Sequence, residues 1–461
     1  MHSPKVHLGR IAEVDRLRRF QMHVLLFGKI PPIQGGVSRS TWLAACDFLD
    51  AGHSIDVITN AEAMEYGFRQ MTMEADDEIE VFQQRGGTIH NVESIPTQSY
   101  IPWAPPFLTQ MLGAGLESIK RKVPDIIIGW YFEPYGVAAS LLGRMYNVPV
   151  VLRHAGSDLG RLRNVSTLGI AYDAFLSEAA AVITGKSAQT ETILKQAGVR
   201  DDAVFRAKGR ALHRSFCDPS QVFDLPELVA RSEEWFSNYG FDDDTYQKLI
   251  AWNRAGLESD DPAIGSYGKI AEVKGTYNLI DAIDALASKG IKVSYRALWS
   301  ATPKRFAHAF KYLSERQNMR GRSIVLPPVA PWRVPGFIRS CSAVAFLENR
   351  FPITFHTPQV PREVIACGSP LILSGEIYEK VYFGSQLVDR VNVLKIDDPQ
   401  DVAQLEKGIA DLIASSELRQ CLIHHSKALS RVLEARAPIG DPIVEIAEGL
   451  VGNEYRSAAV G

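Results

Sequence analysis

The sequence has few cysteines, and they do not suggest a structural metal or a disulfide framework. No Cys-x-x-Cys pair occurs in the 461 residues, and the five cysteines are scattered: Cys46, Cys217, Cys341, Cys367 and Cys421. An odd, dispersed set of this kind indicates reduced thiols. Disulfides persist in oxidising compartments, so the pattern predicts a cytoplasmic protein without a zinc site.

Two further absences narrow the possible functions. No apolar run approaches the roughly 18 residues that a membrane-spanning helix needs, and no secretory signal peptide is visible. The net charge of −3 gives no reason to expect nucleic acid as a partner. Apolar residues at 46% and charged residues at 22% are typical of a soluble globular protein, and the length predicts two or three domains.

Residues 1–20 combine apolar and basic side chains at helical-like spacing. Such a segment can be a basic helix on a membrane surface, or an N-terminal helix packed on its own domain. We favour packing on the domain, because the apolar residues are few. Weak peripheral membrane association remains the alternative.

Short buried strands alternate with helical patterns along most of the chain. Strands are predicted at residues 23–28, 54–59, 125–130, 148–152, 179–184, 263–268, 293–298, 323–329, 342–347, 370–373 and 391–396. This alternation predicts parallel, doubly wound sheets of the α/β class. Residues 217–260 interrupt the pattern with acidic and aromatic residues, so we interpret them as a helical insertion between two domains.

A glycine pair follows the first strand. Gly35 and Gly36 stand just before a predicted helix that Ser38 could cap. A strand, a glycine-rich turn and a helix N-terminus together make a natural anion site, because free N–H groups point at the ligand. The alternative is a tight turn that needs glycine for a positive φ.

Polar residues also follow the strand at 148–152. His154 and Asp158 come directly after it, and open parallel sheets bind ligands beyond the carboxyl ends of their strands. A histidine and an aspartate at that place can position a hydroxyl, transfer a proton or stabilise a developing positive charge. The alternative is a histidine that caps a helix or fills a hydrogen-bonded slot in the core.

Two lysines flank the turn after the strand at 263–268. Lys269 lies just past this strand and Lys274 just before a predicted helix. Two cations beside a helix N-terminus suit a diphosphate. The alternative is a pair of solvated lysines in a loop, which is the usual situation for this residue type.

A short helix carries Glu363 in its first turn and ends at Gly368, with Pro370 opening the next strand. An acid at a helix N-terminus can simply compensate the helix dipole. It can also accept hydrogen bonds from vicinal hydroxyls, as acidic residues do with ribose in dinucleotide-binding folds.

The run 363–370, Glu-Val-Ile-Ala-Cys-Gly-Ser-Pro, follows the strand at 342–347 and a loop. It resembles the nucleotide-sugar signature of retaining GT-B glycosyltransferases of glycosyltransferase family four, in the glycogen synthase-like superfamily. That signature is a strand, a loop and then glutamate-alanine-x-alanine-x-glycine-x-proline. The family usually has a second glutamate eight positions earlier, where this chain has Phe355, and the loop here contains His356 and Thr357.

The resemblance covers nearly the whole chain and is weakest at 60–120 and 217–260. It implies that His154 contacts the sugar and that Lys269 and Lys274 stabilise the departing diphosphate. We therefore assign catalysis to those three residues. Donor binding is assigned to Gly35, Gly36, Val329, His356, Thr357 and Glu363, and acceptor binding to Trp103, Tyr131 and Asp158.

The family's fold would be GT-B, with two Rossmann-like, doubly wound parallel-sheet domains facing a cleft. Residues 1–215 would form an acceptor domain, 216–260 a helical linker and 261–436 a nucleotide-sugar domain. The last segment, 437–461, would be a helix that returns to the N-terminal domain.

The expected reaction is transfer of a sugar from a nucleotide-diphosphate sugar to a small-molecule or glycan acceptor, with retention of anomeric configuration. No DxD-like motif stands in a suitable loop, so we expect neither a metal nor another cofactor. The alternatives are a GT-B epimerase or sugar phosphorylase, and a non-catalytic nucleotide-sugar sensor, since Phe355 replaces the family's glutamate. The donor base, the sugar, the acceptor and the oligomeric state remain open at this point.

Overall fold

A computed structural model describes residues 21–60, 70–72, 77–93, 107–185, 187–206, 223–352, 358–437 and 440–458 of the protein. Three predicted site residues lie outside these ranges, as does the segment 1–20: Trp103, His356 and Thr357.

Two groups of strands alternate with helices along the described chain. The strands are β1 His23–Phe27, β2 Ser54–Thr59, β3 Gly87–Asn91, β4 Ile126–Trp130, β5 Val150–Arg153, β6 Ala181–Thr184, β7 Val204–Arg206, β8 Ala263–Lys269, β9 Ser294–Ser300, β10 Ser323–Leu326, β11 Ala343–Phe346, β12 Leu371–Ser374 and β13 Leu394–Ile396.

The α-helices fall between and around these strands. They are α1 Gly36–Asp50, α2 Asp77–Gln84, α3 Phe107–Arg121, α4 Val137–Tyr146, α5 Ser157–Gly160, α6 Ser166–Glu178, α7 Ala188–Gln196, α8 Leu225–Ser237, α9 Asp243–Gly256, α10 Thr276–Ser288, α11 Pro303–Ser314, α12 Val334–Arg339, α13 Val360–Cys367, α14 Gly375–Lys380, α15 Val402–Ala414, α16 Ser416–Arg436 and α17 Pro442–Ala458.

The first seven strands form one parallel sheet in the order β3-β2-β1-β4-β5-β6-β7. The strand order reverses direction between β1 and β4, and Leu25 of β1 pairs with Asp56 on one side and Ile127 on the other. β1 and β4 are buried along their whole length, as expected for central strands covered by helices on both faces.

The other six strands form a second parallel sheet in the order β10-β9-β8-β11-β12-β13. Here the order reverses between β8 and β11. The α/β class with doubly wound parallel sheets, predicted from the alternation of strands and helices, is thus confirmed. The sequence pattern had indicated no strand at β3, where only part of one face is buried.

The helices α8 and α9, in the segment interpreted as a linker, pack on the second sheet. Trp252 of α9 donates an indole hydrogen bond to the Ser323 hydroxyl at 2.8 Å. The Asn253 amide donates to the Val325 carbonyl at 2.8 Å and accepts from the Val325 N–H at 2.9 Å. These bonds are buried, so α9 serves as a structural layer over β10.

The helix α17 leaves the second domain and packs on the first. Its Ile443 and Ala447 have no solvent exposure and belong to the same apolar cluster as β1 and α1. The Asp441 carboxylate receives two hydrogen bonds from Arg153, at 2.7 and 2.8 Å, and one from the Ile443 N–H at 3.1 Å. In the described residues, no helix is both long and apolar enough to cross a membrane.

Candidate functional site

Both sheets present a point where the strand order reverses, and ligands in open α/β sheets bind beside such points, outside the carboxyl ends of the strands. In the second domain the point lies between β8 and β11. Lys269 is the last residue of β8 rather than the first one past it, Lys274 lies in the segment that leaves β8, and Glu348 lies in the segment that leaves β11. The helix α13 after β11 adds Glu363 to the same region.

Glu363 joins the two domains. It sits in the first turn of α13, and its carboxylate forms an ion pair with the guanidinium of Arg39, which belongs to α1 of the first domain. The Tyr267 hydroxyl donates a 2.6 Å hydrogen bond to the other carboxylate oxygen. Burial raises the pKa of Tyr267 well above its usual range, so its hydroxyl remains a proton donor at neutral pH. The helix then ends at Gly368 with a φ of 68°, as predicted.

Lys274 is enclosed by its own domain. Its ammonium forms an ion pair with Glu348 and lies 4.0 Å from the ring centroid of Phe351. Burial, together with the nearby charges of Lys269 and Lys380, lowers the pKa of Lys274 to about 8. Lys269, by contrast, lies at the exposed end of β8. The two lysines therefore have different environments although they interact electrostatically.

Glu348 is one of the site residues that the sequence analysis missed, together with Arg39 and Tyr267, which contact Glu363. Its side chain has no solvent exposure, and such a charge is stable only with a partner, here Lys274. The signal that could have found it was its place just beyond the buried strand β11, at the end of the sheet where ligands bind. A single glutamate at that place does not belong to a recognisable sequence motif, so the sequence alone did not single it out.

A glycine brings the start of α10 close to the end of β11. Gly275 has a φ of 67°, and a Cβ at this position would lie 2.6 Å from the Leu347 Cβ and 3.0 Å from its carbonyl oxygen. Only glycine fits both conditions. The backbone N–H groups that open α10 therefore lie beside Lys274 and Glu348, and an anion at this helix N-terminus would meet favourable dipoles.

The glycine pair opens α1 in the first domain. Gly35 has a φ of 132° and is the residue that precedes the helix, which begins at Gly36. The predicted cap by Ser38 is therefore wrong, because Ser38 lies inside the first turn. Apart from the adjacent residues and the backbone of α1 itself, no described atom comes within 4 Å of a Cβ built at Gly35 or Gly36, so there is room for a ligand beside this helix N-terminus.

The turn at Val329, predicted to hold the nucleotide base, contacts the first domain. Thr72 donates to the Pro328 carbonyl from its N–H at 2.8 Å and from its hydroxyl at 3.2 Å. Trp332, three residues on, packs on Trp42 of α1 with ring centroids 6.3 Å apart. This loop therefore holds the two domains together in the structure, and a role in base binding stays a prediction.

His154 follows β5 as predicted, and both of its ring nitrogens are used within the first domain. The Gly156 N–H donates to Nδ1 at 3.3 Å, so Nε2 carries the proton and donates to the Thr184 hydroxyl at 2.8 Å. Burial, with a smaller effect of Arg153, lowers the pKa of His154 to about 4. The imidazole is neutral at pH 7, and its catalytic role stays a prediction.

The two described residues assigned to the acceptor lie beside His154. Asp158 is fully buried and accepts hydrogen bonds from the N–H groups of Ala155 and Leu159, each at 3.0 Å. Burial raises its pKa to about 6. Tyr131 shares a 2.9 Å hydrogen bond with the Ser157 hydroxyl. The carboxylate thus organises the backbone around His154, and acceptor binding by Tyr131 and Asp158 stays a prediction.

No protein-family model matches the sequence, and the search of curated proteins found no match. Solved structures do resemble the fold. HepE from Anabaena in complex with UDP-glucose has a TM-score of 0.58 at 14% identity, over 95% of this chain and 100% of that one. Sucrose-phosphate synthase from Thermosynechococcus elongatus has a TM-score of 0.57 at 15% identity, over 95% and 100%.

Two more solved structures also resemble the fold. WaaG, a glycosyltransferase involved in lipopolysaccharide biosynthesis, has a TM-score of 0.57 at 13% identity, over 94% of this chain and 100% of that one. A putative UDP-N-acetylglucosamine 2-epimerase from Listeria monocytogenes has a TM-score of 0.50 at 12% identity, over 92% and 94%. At these identities the similarity establishes the fold. The predicted two-domain GT-B architecture is confirmed.

Proposed function

We propose that this protein is a glycosyltransferase that moves a sugar from a nucleotide-diphosphate sugar to an acceptor hydroxyl with retention of anomeric configuration. The observation that carries the proposal is the grouping of Glu363, Lys269 and Lys274 at the ligand-binding end of the second sheet. The GT-B fold agrees with it, and a similar structure, HepE, was solved in complex with UDP-glucose.

Each of the three residues has a task in this reaction. The ribose hydroxyls would donate hydrogen bonds to Glu363, which already accepts one from Tyr267. The diphosphate would lie near Lys269, Lys274 and the N-terminus of α10, where preorganised positive charge stabilises negative charge as it develops. These contacts would recognise the ribose and the diphosphate of the donor rather than its sugar.

The transfer step follows from this placement. The bond between the anomeric carbon and the diphosphate oxygen breaks, and the diphosphate leaves with the electron pair. The acceptor oxygen forms the new bond on the same face of the sugar, and its proton passes to the released diphosphate. Since the lysines meet most negative charge after bond cleavage, they stabilise the transition state more than the bound donor.

A ligand screen tests the proposal directly. UDP, GDP and ADP are compared for the rise in melting temperature that they produce, because a ligand that binds only the native state stabilises it. We expect one of the three to raise the melting temperature. The matching sugar donors are then assayed for nucleotide diphosphate release with and without a panel of sugar acceptors.

The outcomes distinguish the classes of protein. Release that depends on an acceptor, with an α-linked product from an α-linked donor, supports a retaining transferase. A changed sugar on intact nucleotide diphosphate indicates an epimerase instead. Binding without turnover of any donor indicates a sensor, and no binding of any nucleotide diphosphate contradicts the proposal as a whole.

A further inference from the structure

We propose that Arg39 is a donor-binding residue that the first domain supplies to the nucleotide-sugar site. In this inference, which rests on the proposed function, Arg39 exchanges partners. Without donor, the Arg39 guanidinium pairs with the Glu363 carboxylate. When the ribose hydroxyls of a donor bind that carboxylate, the guanidinium binds the diphosphate instead.

The first argument is the geometry of the Glu363 carboxylate. Arg39 contacts Oε1 and Tyr267 contacts Oε2, so both oxygens are engaged. The side chains of Arg39 and Glu363 are only 11% and 7% exposed. Two ribose hydroxyls that donate to this carboxylate need the lone pairs that face the cleft, and they compete with the guanidinium for them.

The second argument is the cost of a buried guanidinium that loses its partner. Arginine keeps its proton in proteins, so Arg39 cannot respond to the ribose by becoming neutral. An uncompensated buried charge is strongly unfavourable, and another anion must therefore replace Glu363. A diphosphate fits this need, because a guanidinium binds phosphate oxygens through two parallel hydrogen bonds.

The third argument is the position of Arg39 on α1. This 15-residue helix opens at Gly36, has no acidic residue in its first turn and receives no side-chain cap from the described residues. The Ser38 side chain is 1% exposed, and its hydroxyl oxygen has no hydrogen-bond partner in the described part of the chain. A phosphate beside this N-terminus would lie within one turn of Arg39 and would meet the free N–H groups that open α1.

The fourth argument is the charge that the second domain offers. Lys274 is already paired with Glu348 and covered by the Phe351 ring, so its ammonium is shared with a buried anion. A donor diphosphate carries two negative charges, and Lys269, at the exposed end of β8, balances one of them. The Arg39 guanidinium, which comes from the first domain, balances the second charge. The diphosphate, rather than the ribose, is then the part of the donor that contacts both domains.

The test compares the binding of each nucleoside with the binding of its diphosphate. Calorimetry gives the dissociation constants of uridine and UDP, guanosine and GDP, and adenosine and ADP for each variant at one fixed salt concentration. The measured quantity is the phosphate gain, defined as the nucleoside dissociation constant divided by that of its diphosphate. In Arg39→Gln we expect the phosphate gain to fall by about 10-fold or more, since a hydrogen bond to a charged group contributes on that scale.

The nucleoside alone should bind Arg39→Gln as tightly as the wild type or more tightly, because its competitor for Glu363 is gone. The control is Arg85→Gln. Arg85 is a partly exposed arginine that forms an ion pair with Asp50, the last residue of α1. This control should leave both dissociation constants unchanged.

Arg39→Gln removes the cation beside the buried, charged Glu363 and could therefore impair folding. Two further variants test the role of Arg39 without depending on that one change. Glu363→Gln should weaken the nucleoside but keep the phosphate gain, since Arg39 retains its charge. The double variant Arg39→Gln/Glu363→Gln has neither charge, and its phosphate gain should fall about as far as in Arg39→Gln.

An unchanged phosphate gain in both arginine variants would overturn the role of Arg39 while leaving the proposed function intact. Equal weakening of nucleoside and diphosphate would also overturn it, because Arg39 would then only support the fold. If the wild type binds none of the six ligands, both the proposed function and this inference fail.

Discussion

The ammonium of Lys274 forms an ion pair with Glu348, a carboxylate with no solvent exposure that lies two residues past β11, a central strand of the second sheet. The ring of Phe351 covers the same ammonium at 4.0 Å. The lysine proposed to stabilise the leaving group is therefore fixed in position before any donor arrives. Because the charge is already in place, no free energy is needed to reorganise it during the chemical step.

The first prediction separates catalysis by this ion pair from its contribution to stability. Lys274→Met should lower turnover by about 10²-fold, on the scale of lost electrostatic stabilisation. It should raise the Michaelis constant less, because the lysine acts mainly on the transition state. It should also destabilise the fold by about 3–5 kcal/mol, since the buried Glu348 carboxylate loses its ion pair with the Lys274 ammonium. Steady-state kinetics and urea denaturation measure the two effects.

The double variant Lys274→Met/Glu348→Gln is the control for this prediction. Without a buried charge it should regain most of the lost stability but none of the lost turnover. Normal turnover at saturating donor in Lys274→Met, with only the Michaelis constant raised, would contradict a role in the transition state.

The second prediction concerns Glu363. Glu363→Gln should weaken nucleotide diphosphate binding by about 1.5–3 kcal/mol, because hydrogen bonds from the ribose to a charged acceptor contribute on that scale. The matched control is Glu406→Gln, which breaks an ion pair with the exposed Lys289 in the same domain. Calorimetry on both variants is the measurement, and equal nucleotide affinity in the two would remove Glu363 from the ribose site.

The third prediction uses the room beside Gly36. Gly36→Val should lower donor affinity, because its side chain would fill the open volume at the start of α1. Gly113→Ala is the control: Gly113 lies in α3 with no described atom within 4 Å of an added Cβ. That change should stabilise the protein by about 0.5–1 kcal/mol through helix propensity and leave donor affinity unchanged. Unaltered donor affinity in Gly36→Val would place the diphosphate elsewhere.

The fourth prediction is a pH dependence of stability that originates at His154. Burial lowers its pKa to about 4 in the folded protein, whereas a histidine in the unfolded chain has its ordinary pKa of about 6.5. Between these values the unfolded chain binds the extra proton, so stability is lost as the pH falls from 6.5 to 4. The loss attributable to this residue is roughly 3 kcal/mol.

The control for the pH prediction is His154→Gln, whose amide can donate to Thr184 and accept from the Gly156 N–H but does not titrate. Urea denaturation at several pH values should show a steeper decline in the wild type than in the variant. Parallel declines would show that His154 is not held neutral by its surroundings.

Much of the fold followed from local patterns in the sequence. The alternation of buried strands with helices predicted both parallel sheets, since each strand of a covered sheet is apolar in its own right. The stop at Gly368 followed from backbone chemistry that one residue determines. The weakly amphipathic β3 escaped detection because its burial depends on its neighbours in the sheet.

The site was less predictable, because its main contacts join distant parts of the chain. Arg39 and Glu363 are 324 positions apart, and nothing near either residue indicates the other. The spacing of Lys269 and Lys274 identified a cationic turn, but only the three-dimensional structure shows that Glu348 forms an ion pair with one of the two lysines. Similarly, no local pattern distinguished an acceptor-facing Asp158 from one that accepts backbone N–H groups.

The return of α17 to the first domain also has a consequence for biosynthesis. About 235 residues separate the end of β7 from the start of α17, and the whole second domain is translated in that interval. At ordinary ribosome speeds this takes roughly 10–50 s. During that time the apolar face of α1 does not yet have α17 to pack against. The order of translation thus makes the first domain synthesised the last one completed.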